Sequence, residues 1–258
     1  MLPDRRTVSR LYRSCVIVFV HGVPETEQLW DKMRAEIDAP STAVSMPGFG
    51  CDRPPGFAAT ADAYADWLIG ELENIGDPVD LVGHDWGAGL TYRVATTRPD
   101  LLRSWAADVA NVLHPDYEWH DFAKIWQSDE GEAFFETQEA TPVEERGSLF
   151  EAMGVPHEDA IAMASRADRT MGDCILALYR SATPNPYAKW GETFVPTKAP
   201  GLVIIPTEDP FGDEKLATEV AGMLGARTTR LEGLGHWWPV QDPKASAAPL
   251  KDFWASVT

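Results

Sequence analysis

The sequence predicts an α/β fold: a mostly parallel central sheet with helices on both faces and a helical insertion after the strand at about 104–109. Three observations predict it. Short β-branched runs alternate with stretches of helical periodicity at both ends of the chain. The junction Gly83-His84-Asp85-Trp86-Gly87 follows an apolar run and precedes a helical one, with glycine two residues either side of a central acid. Between residues 111 and 196 the chain turns aromatic and acidic, with short helical patterns and no strand pattern.

Taken in order, Cys15 to Val20 is continuous and apolar, as a strand buried on both faces is. His21-Gly22-Val23-Pro24 ends it. Thr26 is placed to cap a helix from about Glu27 to Ile37, with Leu29, Trp30, Met33 and Ile37 on one side. Thr42 to Met46 reads as a short strand, and Pro47-Gly48-Phe49-Gly50 with Pro54-Pro55-Gly56 as loop. Thr60 caps a helix in which Tyr64, Trp67, Leu68, Leu72 and Ile75 recur at helical steps. Val79 to Val82 is a buried strand, and the helix through Ala88 to Ala95 is closed by Pro99 and Asp100. Ser104 to Val109 is the strand before the insertion. Gly201 to Ile205 restores the strand pattern, Asp213 opens a helix through Leu224, Ala226 to Leu231 is the last strand, and a closing helix runs from about Pro243 to Val257. The expected division is a core of residues 1–111 and 197–258 and a helical cap of 112–196.

Composition narrows the function classes. A net charge of −18 over 258 residues disfavours nucleic acid and anionic membranes as partners, because long-range repulsion would have to be overcome. Cys15, Cys51 and Cys174 are odd in number and widely spaced, which suggests neither a disulfide framework nor a zinc site and fits a reducing cytoplasm. Arg5, Arg6, Arg10 and Arg13 precede no apolar stretch of signal-peptide length, and no segment approaches the roughly 20 apolar residues of a membrane span. The histidines lack metal-ligand spacing, so no metal and no organic cofactor are expected; a homodimer is allowed for.

His21, Asp85, Asp209 and His236 each follow an expected strand end, so the fold would bring them to one edge of the sheet. A sharp strand-to-helix turn presenting a nucleophile, then an acid, then a histidine is the order Asp85…Asp209…His236. With His21-Gly22-Val23-Pro24, Pro47-Gly48-Phe49-Gly50 and Gly235-His236-Trp237, the chain resembles the aspartate-nucleophile branch of the α/β-hydrolase superfamily, which contains epoxide hydrolases and haloalkane dehalogenases. The likeness covers nearly the whole chain. It implies an α/β-hydrolase fold whose insertion forms a lid, and a cis bond at Val23-Pro24.

A carboxylate displaces a leaving group from saturated carbon and leaves an alkyl ester. The resemblance gives His236 the part of base toward the water that cleaves that ester, and Asp209 the part of orienting it, with Asp108 and Glu208 as alternatives. Backbone N–H groups of Val23 and Trp86 map onto the oxyanion donors. Leu178-Tyr179-Arg180-Ser181 is similar to the element carrying one ring-opening tyrosine of epoxide hydrolases, and Val23 stands where many dehalogenases have a halide-binding Asn. The region of a first lid tyrosine, Asp121 to Gln127, has none; Tyr117 and Tyr187 are the other tyrosines of the insertion. Trp126 and Trp86 could instead form an indole pair for a halide. His21, Pro24, Trp86, Tyr117, Phe122 and Trp126 are the expected substrate contacts, and His114, His120 and His157 are expected in solvent. The reading is an epoxide hydrolase acting on a small apolar epoxide to give a vicinal diol. A haloalkane or haloacid dehalogenase and a non-catalytic ligand-binding homologue are its alternatives.

Overall fold

The computed structural model describes residues 16–257; Cys15 and the arginines at 5, 6, 10 and 13 lie outside them. Six strands form one parallel sheet: β1 (Ile17–Val20), β2 (Ser41–Val44), β3 (Val79–Gly83), β4 (Leu102–Ala107), β5 (Gly201–Pro206) and β6 (Arg227–Leu231), in the spatial order β2-β1-β3-β4-β5-β6. The two central strands, β1 and β3, are in register from Ile17 opposite Asp80 to Val20 opposite Gly83, so their carboxyl ends are level.

Strand alternation sorts the side chains into two layers. Val18, Val20, Leu81, Trp105 and Ile205 face α2 (Ala61–Ile75), α3 (Trp86–Thr97) and α10 (Glu214–Leu224). Ile17, Phe19, Val82, Ala106 and Ile204 face α1 (Asp31–Ala35), α11 (Trp238–Gln241) and α12 (Pro243–Ser256). Each fully buried large side chain contributes roughly 1.5–3 kcal/mol. One acid lies within this apolar sheet: Asp80 on β3, whose carboxylate accepts from Ser104 Oγ at 2.5 Å and from Arg103.

Between β4 and β5 come only helices: α4 (Asp121–Gln127), α5 (Gly131–Ala140), α6 (Val143–Ala152), α7 (His157–Arg166), α8 (Arg169–Ser181) and α9 (Pro186–Trp190), with short 3₁₀ turns. Polar contacts help dock them on the core, among them two from α8 and α9. Ser181 Oγ, at the end of α8, accepts from Ala61 N–H at 2.8 Å, and Trp190 Nε1 donates to Asp62 at 2.9 Å.

The expected helix over 27–37 is broken. A 3₁₀ turn (Glu27–Trp30) precedes the short α1, and Thr26, though extended as a cap residue should be, makes no side-chain capping bond. Thr60 and Asp213 do cap, accepting from Ala63 N–H at 3.3 Å and Leu216 N–H at 2.9 Å. No helix among the described residues is long and apolar enough to cross a membrane.

Two glycines test the packing at the end of β3. A Cβ on Gly87 would stand 2.3 Å from the Val20 carbonyl oxygen, whereas a Cβ on Gly70, inside α2, would meet nothing within 4 Å. Gly87→Ala should therefore destabilise the fold by about 3 kcal/mol, and Gly70→Ala should stabilise it by roughly 0.5–1 kcal/mol. Thermal or urea unfolding of both variants checks the contrast.

Candidate active site

Parallel strands deliver four loops to one edge of the sheet. β1 runs into Gly22-Val23-Pro24-Glu25, β3 into Asp85, β5 into Asp209 and β6 into His236. The Val23-Pro24 bond is cis. Asp85 has φ 51° and ψ −118°, a conformation in which a side chain is strained. Its surroundings hold it there. Its N–H donates to Asp108 Oδ1 at 2.9 Å, and Gly22 packs so closely that a Cβ on it would lie 2.3 Å from Asp85 Cβ.

The two carboxylate oxygens of Asp85 have different partners. Oδ1 accepts from Val23 N–H at 2.9 Å. Oδ2 stands 3.9 Å from His236 Nε2, too far for a direct hydrogen bond and near enough for charge to be felt. His236 Nδ1 donates to Asp209 Oδ2 at 3.0 Å, which leaves Nε2 with its lone pair toward Asp85 when the ring is neutral. Asp209 Oδ1 accepts from Phe211 N–H at 2.8 Å. The acid against His236 is therefore Asp209; Asp108 is bound elsewhere, and Glu208 makes no side-chain bond to His236.

Directly behind Asp85 lies a second polar cluster that the sequence reading did not assemble. His84 Nδ1 donates to Asp108 Oδ2 at 2.5 Å, and His84 Nε2 donates to Glu25 Oε1 at 3.2 Å. A carboxylate only accepts, so both ring nitrogens carry protons. Trp237 Nε1 donates to Glu25 Oε1 at 2.7 Å, Trp238 Nε1 to Asp108 Oδ2 at 2.6 Å, and Gly22 N–H to Glu25 Oε2 at 2.9 Å. Glu25, His84 and His236 offer one ligand atom each within 4.8 Å. A cation there would have to displace the proton of His84 and the indole of Trp237.

Burial and charge set the protonation states. Burial pushes the Asp85 carboxyl up to about 6, against the pull of the His236 and His84 charges. Burial opposes protonation of His236, but the Asp209 charge and hydrogen bond outweigh it and raise its pKa. Asp209 is lowered in turn, because His236 overcomes its burial. In the rear cluster burial is again overcome: His84 is held well above the usual imidazole value by Asp108 and Glu25, and Glu25 is held down at about 2 by His84.

A cavity of about 470 Å³ opens over Asp85 and His236, and its wall is almost wholly apolar. Pro24, Phe122 and Trp126, three of the expected substrate contacts, line it, and so does Tyr179, the expected ring-opening tyrosine. Tyr179 is 2% exposed, and burial, with the Asp85 charge, keeps its phenol protonated well above the usual range. Three expected contacts are not on this wall. His21 is locked beneath it, donating from Nδ1 to Gly22 O at 2.7 Å and accepting at Nε2 from Met46 N–H at 3.1 Å. Trp86 packs its ring on Trp119 and edge-on to Tyr179, with centroids 6.0 and 5.4 Å apart. Tyr117 is buried against Trp119, although the Asp85 and Asp209 charges still reach its phenol.

Two histidines expected in solvent are not there. His114 is buried, with Nε2 3.0 Å from Glu219 Oε2 on α10. His120 lines the cavity. Its Nδ1 accepts from Ala123 N–H at 3.2 Å, capping α4, so its proton is on Nε2; burial lowers its pKa to about 4. His157 is exposed.

The raised pKa of Asp85 is a stability statement. An acid whose folded pKa lies above its unfolded value costs stability at every pH above the folded one. Asp85→Asn should thus stabilise the protein by roughly 1–3 kcal/mol at pH 7, a gain that shrinks as pH falls through about 6 toward the ordinary carboxylate range. Urea unfolding of both proteins at pH 7.5 and pH 4.5 checks it.

With this geometry established, comparison with known proteins places the chain. A haloalkane dehalogenase of Bradyrhizobium diazoefficiens is 26% identical over 183 residues, 67% of this chain and 57% of that protein. An epoxide hydrolase of Caballeronia sordidicola is 30% identical over 197 residues, 68% of this chain and 56% of that one. The chain thus spans just over half the length of these two curated relatives. The crystal structure of epoxide hydrolase A from Mycobacterium thermoresistibile shares the fold, with a TM-score of 0.79 at 20% identity over 95% of this chain and 92% of that one. The profile of the alpha/beta hydrolase family matches residues 17–248, from the first strand into the closing helix, and the chain belongs to that family.

Proposed function

We propose that the protein is an epoxide hydrolase that works through an ester on Asp85, with the helices of 112–196 as the cap over the site. The observation that carries the reading is Tyr179, a buried phenol on the same cavity wall as the Asp85 carboxylate. An epoxide opened by a carboxylate leaves an alkoxide, which needs a proton at once; a phenol lining the same cavity as the carboxylate supplies it.

The two oxygens of Asp85 divide the work. Oδ2, free of any N–H donor, attacks the less hindered epoxide carbon while Tyr179 gives its proton to the departing oxygen. His120, neutral with its proton on Nε2, serves as the second donor, in place of the tyrosine missing from Asp121 to Gln127. Alkylation removes the negative charge of Asp85, one of the charges that raises His236. His236 then loses its proton more readily and accepts one from a water placed in the 3.9 Å gap. The hydroxide attacks Cγ of the ester, and the oxyanion forms on Oδ1, already bonded to Val23 N–H, with the first N–H of α3, on Trp86, as second donor. Collapse breaks the bond from Cγ to the substrate oxygen, which takes the proton held by His236, and the proton left on the Asp85 acid returns to the Tyr179 phenolate, so the diol leaves with Asp85 ionised and both donors restored. Asp209 orients His236 and balances its charge throughout.

One observation favours a second reading, a haloalkane or haloacid dehalogenase. Trp126 Nε1 is buried beside the cavity with no hydrogen-bond partner, as an indole waiting for a halide would be.

Styrene oxide in ¹⁸O water under single-turnover conditions separates the readings. Label should enter Asp85 and not the diol. Halide release from a haloalkane without diol formation would favour the dehalogenase, and no covalent turnover of either substrate would leave a binding protein. His236→Gln should trap the ester, seen as a mass increase of the intact protein. Tyr179→Phe should slow ring opening about 10²-fold while the melting temperature holds.

The pH profile follows from Asp85. The carboxylate must be ionised to attack, and burial sets its pKa at about 6. The rate of ester formation in rapid-quench experiments should therefore be flat above pH 7 and fall about tenfold for each pH unit below about 5.

A further inference from the structure

The cavity extends well beyond the reacting residues, between α5, α6, α7 and α8, to a wall that includes Arg146. The walls along this length are apolar: Phe134, Phe135, Ala164, Met171 and Ile175. Arg146 is incompletely used by the protein. Its Nη1 donates to Ala167 O at 2.9 Å, its Nε is buried with no acceptor, and it enters no ion pair with a described acid. The other charged groups on that wall are differently placed. Arg169 is bound to Asp173 at 3.0 Å with Glu136 at 3.7 Å, and Asp168 Oδ1 caps α8 by accepting from Met171 N–H at 2.8 Å. Glu139 shares the wall, so an anion there would have to contact Arg146 itself rather than rely on a diffuse positive potential.

A guanidinium on the wall of an apolar cavity, with an N–H left unmet, selects for a ligand that brings an acceptor, and its planar fork fits a carboxylate best. The chain carries a net charge of −18, so an anionic ligand needs a local cation to be held at all. Phe122 and Leu149, large apolar side chains left 45% and 56% exposed, also lie on the cavity wall and give an alkyl chain an apolar entrance.

We propose that Arg146 forms a carboxylate subsite, and that the substrates are apolar chains with an epoxide at one end and a carboxylate at the other; the substrate half of this rests on the epoxide reading above. The acid is held by charge-assisted hydrogen bonds to the guanidinium while the epoxide reaches Asp85.

Two experiments test it. For wild-type protein, KM should be about tenfold lower for an ω-epoxy fatty acid than for its methyl ester. In Arg146→Met the ratio should fall to about one, and in Arg146→Lys part of it should survive. Equal KM values for acid and ester in the wild-type protein would overturn the subsite whether or not the variants fold. Binding is read without chemistry by quenching of tryptophan fluorescence, since Trp126 is on the cavity wall. Decanoate should bind about tenfold tighter than decanol. Equal or weaker binding of decanoate overturns the subsite even if styrene oxide is turned over. Preferred binding of decanoate with no turnover of any epoxide would uphold the subsite and remove the epoxide reading.

Discussion

An imidazolium between two carboxylates, shut away from water, holds this site together. His84 follows β3, Glu25 follows β1 and Asp108 follows β4; Trp237 and Trp238, beyond β6, donate their indole N–H groups to the same two acids. One charged ring thereby ties four strand ends into a single body. Burying three ionisable groups costs several kcal/mol per ion when they stand alone. Here each charge has an opposite neighbour and the remaining carboxylate oxygens take N–H donors from Gly22 and Asp85. Those N–H groups belong to the loops that present Val23 and Asp85 to the cavity. The cluster therefore also sets the distance between the Asp85 carboxylate and the Val23 N–H.

In front of this cluster the site is deliberately unbalanced. Asp85 is largely shielded from water and given one N–H bond on one oxygen, with His236 Nε2 at 3.9 Å from the other. A carboxylate so poorly solvated is less stable as the anion than one in water, which is why its pKa is raised. Asp209 and His236 show the opposite arrangement, with a direct 3.0 Å bond and pKa values driven apart. Neighbouring acids thus hold their protons differently because their hydrogen-bond partners differ in number and charge.

The sheet was legible because buried parallel strands have a composition of their own: Ile17 to Val20 and Gly201 to Pro206 admit little but strand. So was the convergence of Asp85, Asp209 and His236, since each follows a strand end. What the sequence conceals is where a polar side chain points. His120 and His114 sit among acidic and aromatic residues that look like surface, yet one faces the cavity and the other meets Glu219 on a distant helix. His21 follows a strand just as Asp85 does, but its ring is spent on the Gly22 carbonyl and the Met46 amide. Thr26 has a capping residue's identity and backbone without its bond, because the turn that follows is 3₁₀. Glu25 stands next to a glycine-proline turn; its side-chain partners lie 59 and 212 positions away and leave no local pattern.

Gly22 has one further consequence, for what this turn can become. Its hydrogen faces Asp85 at a range where a Cβ would stand 2.3 Å from the Cβ across from it. Every residue except glycine carries that atom at position 85. The constraint is thus blind to the functional group beyond it: a serine or cysteine at the tip would meet the same wall as the aspartate. Gly22, with Gly83 and Gly87 on either side of the tip, fixes the shape of the turn and says nothing about its chemistry. The side chain at position 85 can therefore be exchanged without disturbing this contact, whereas enlarging Gly22 forces the turn apart whatever residue stands opposite.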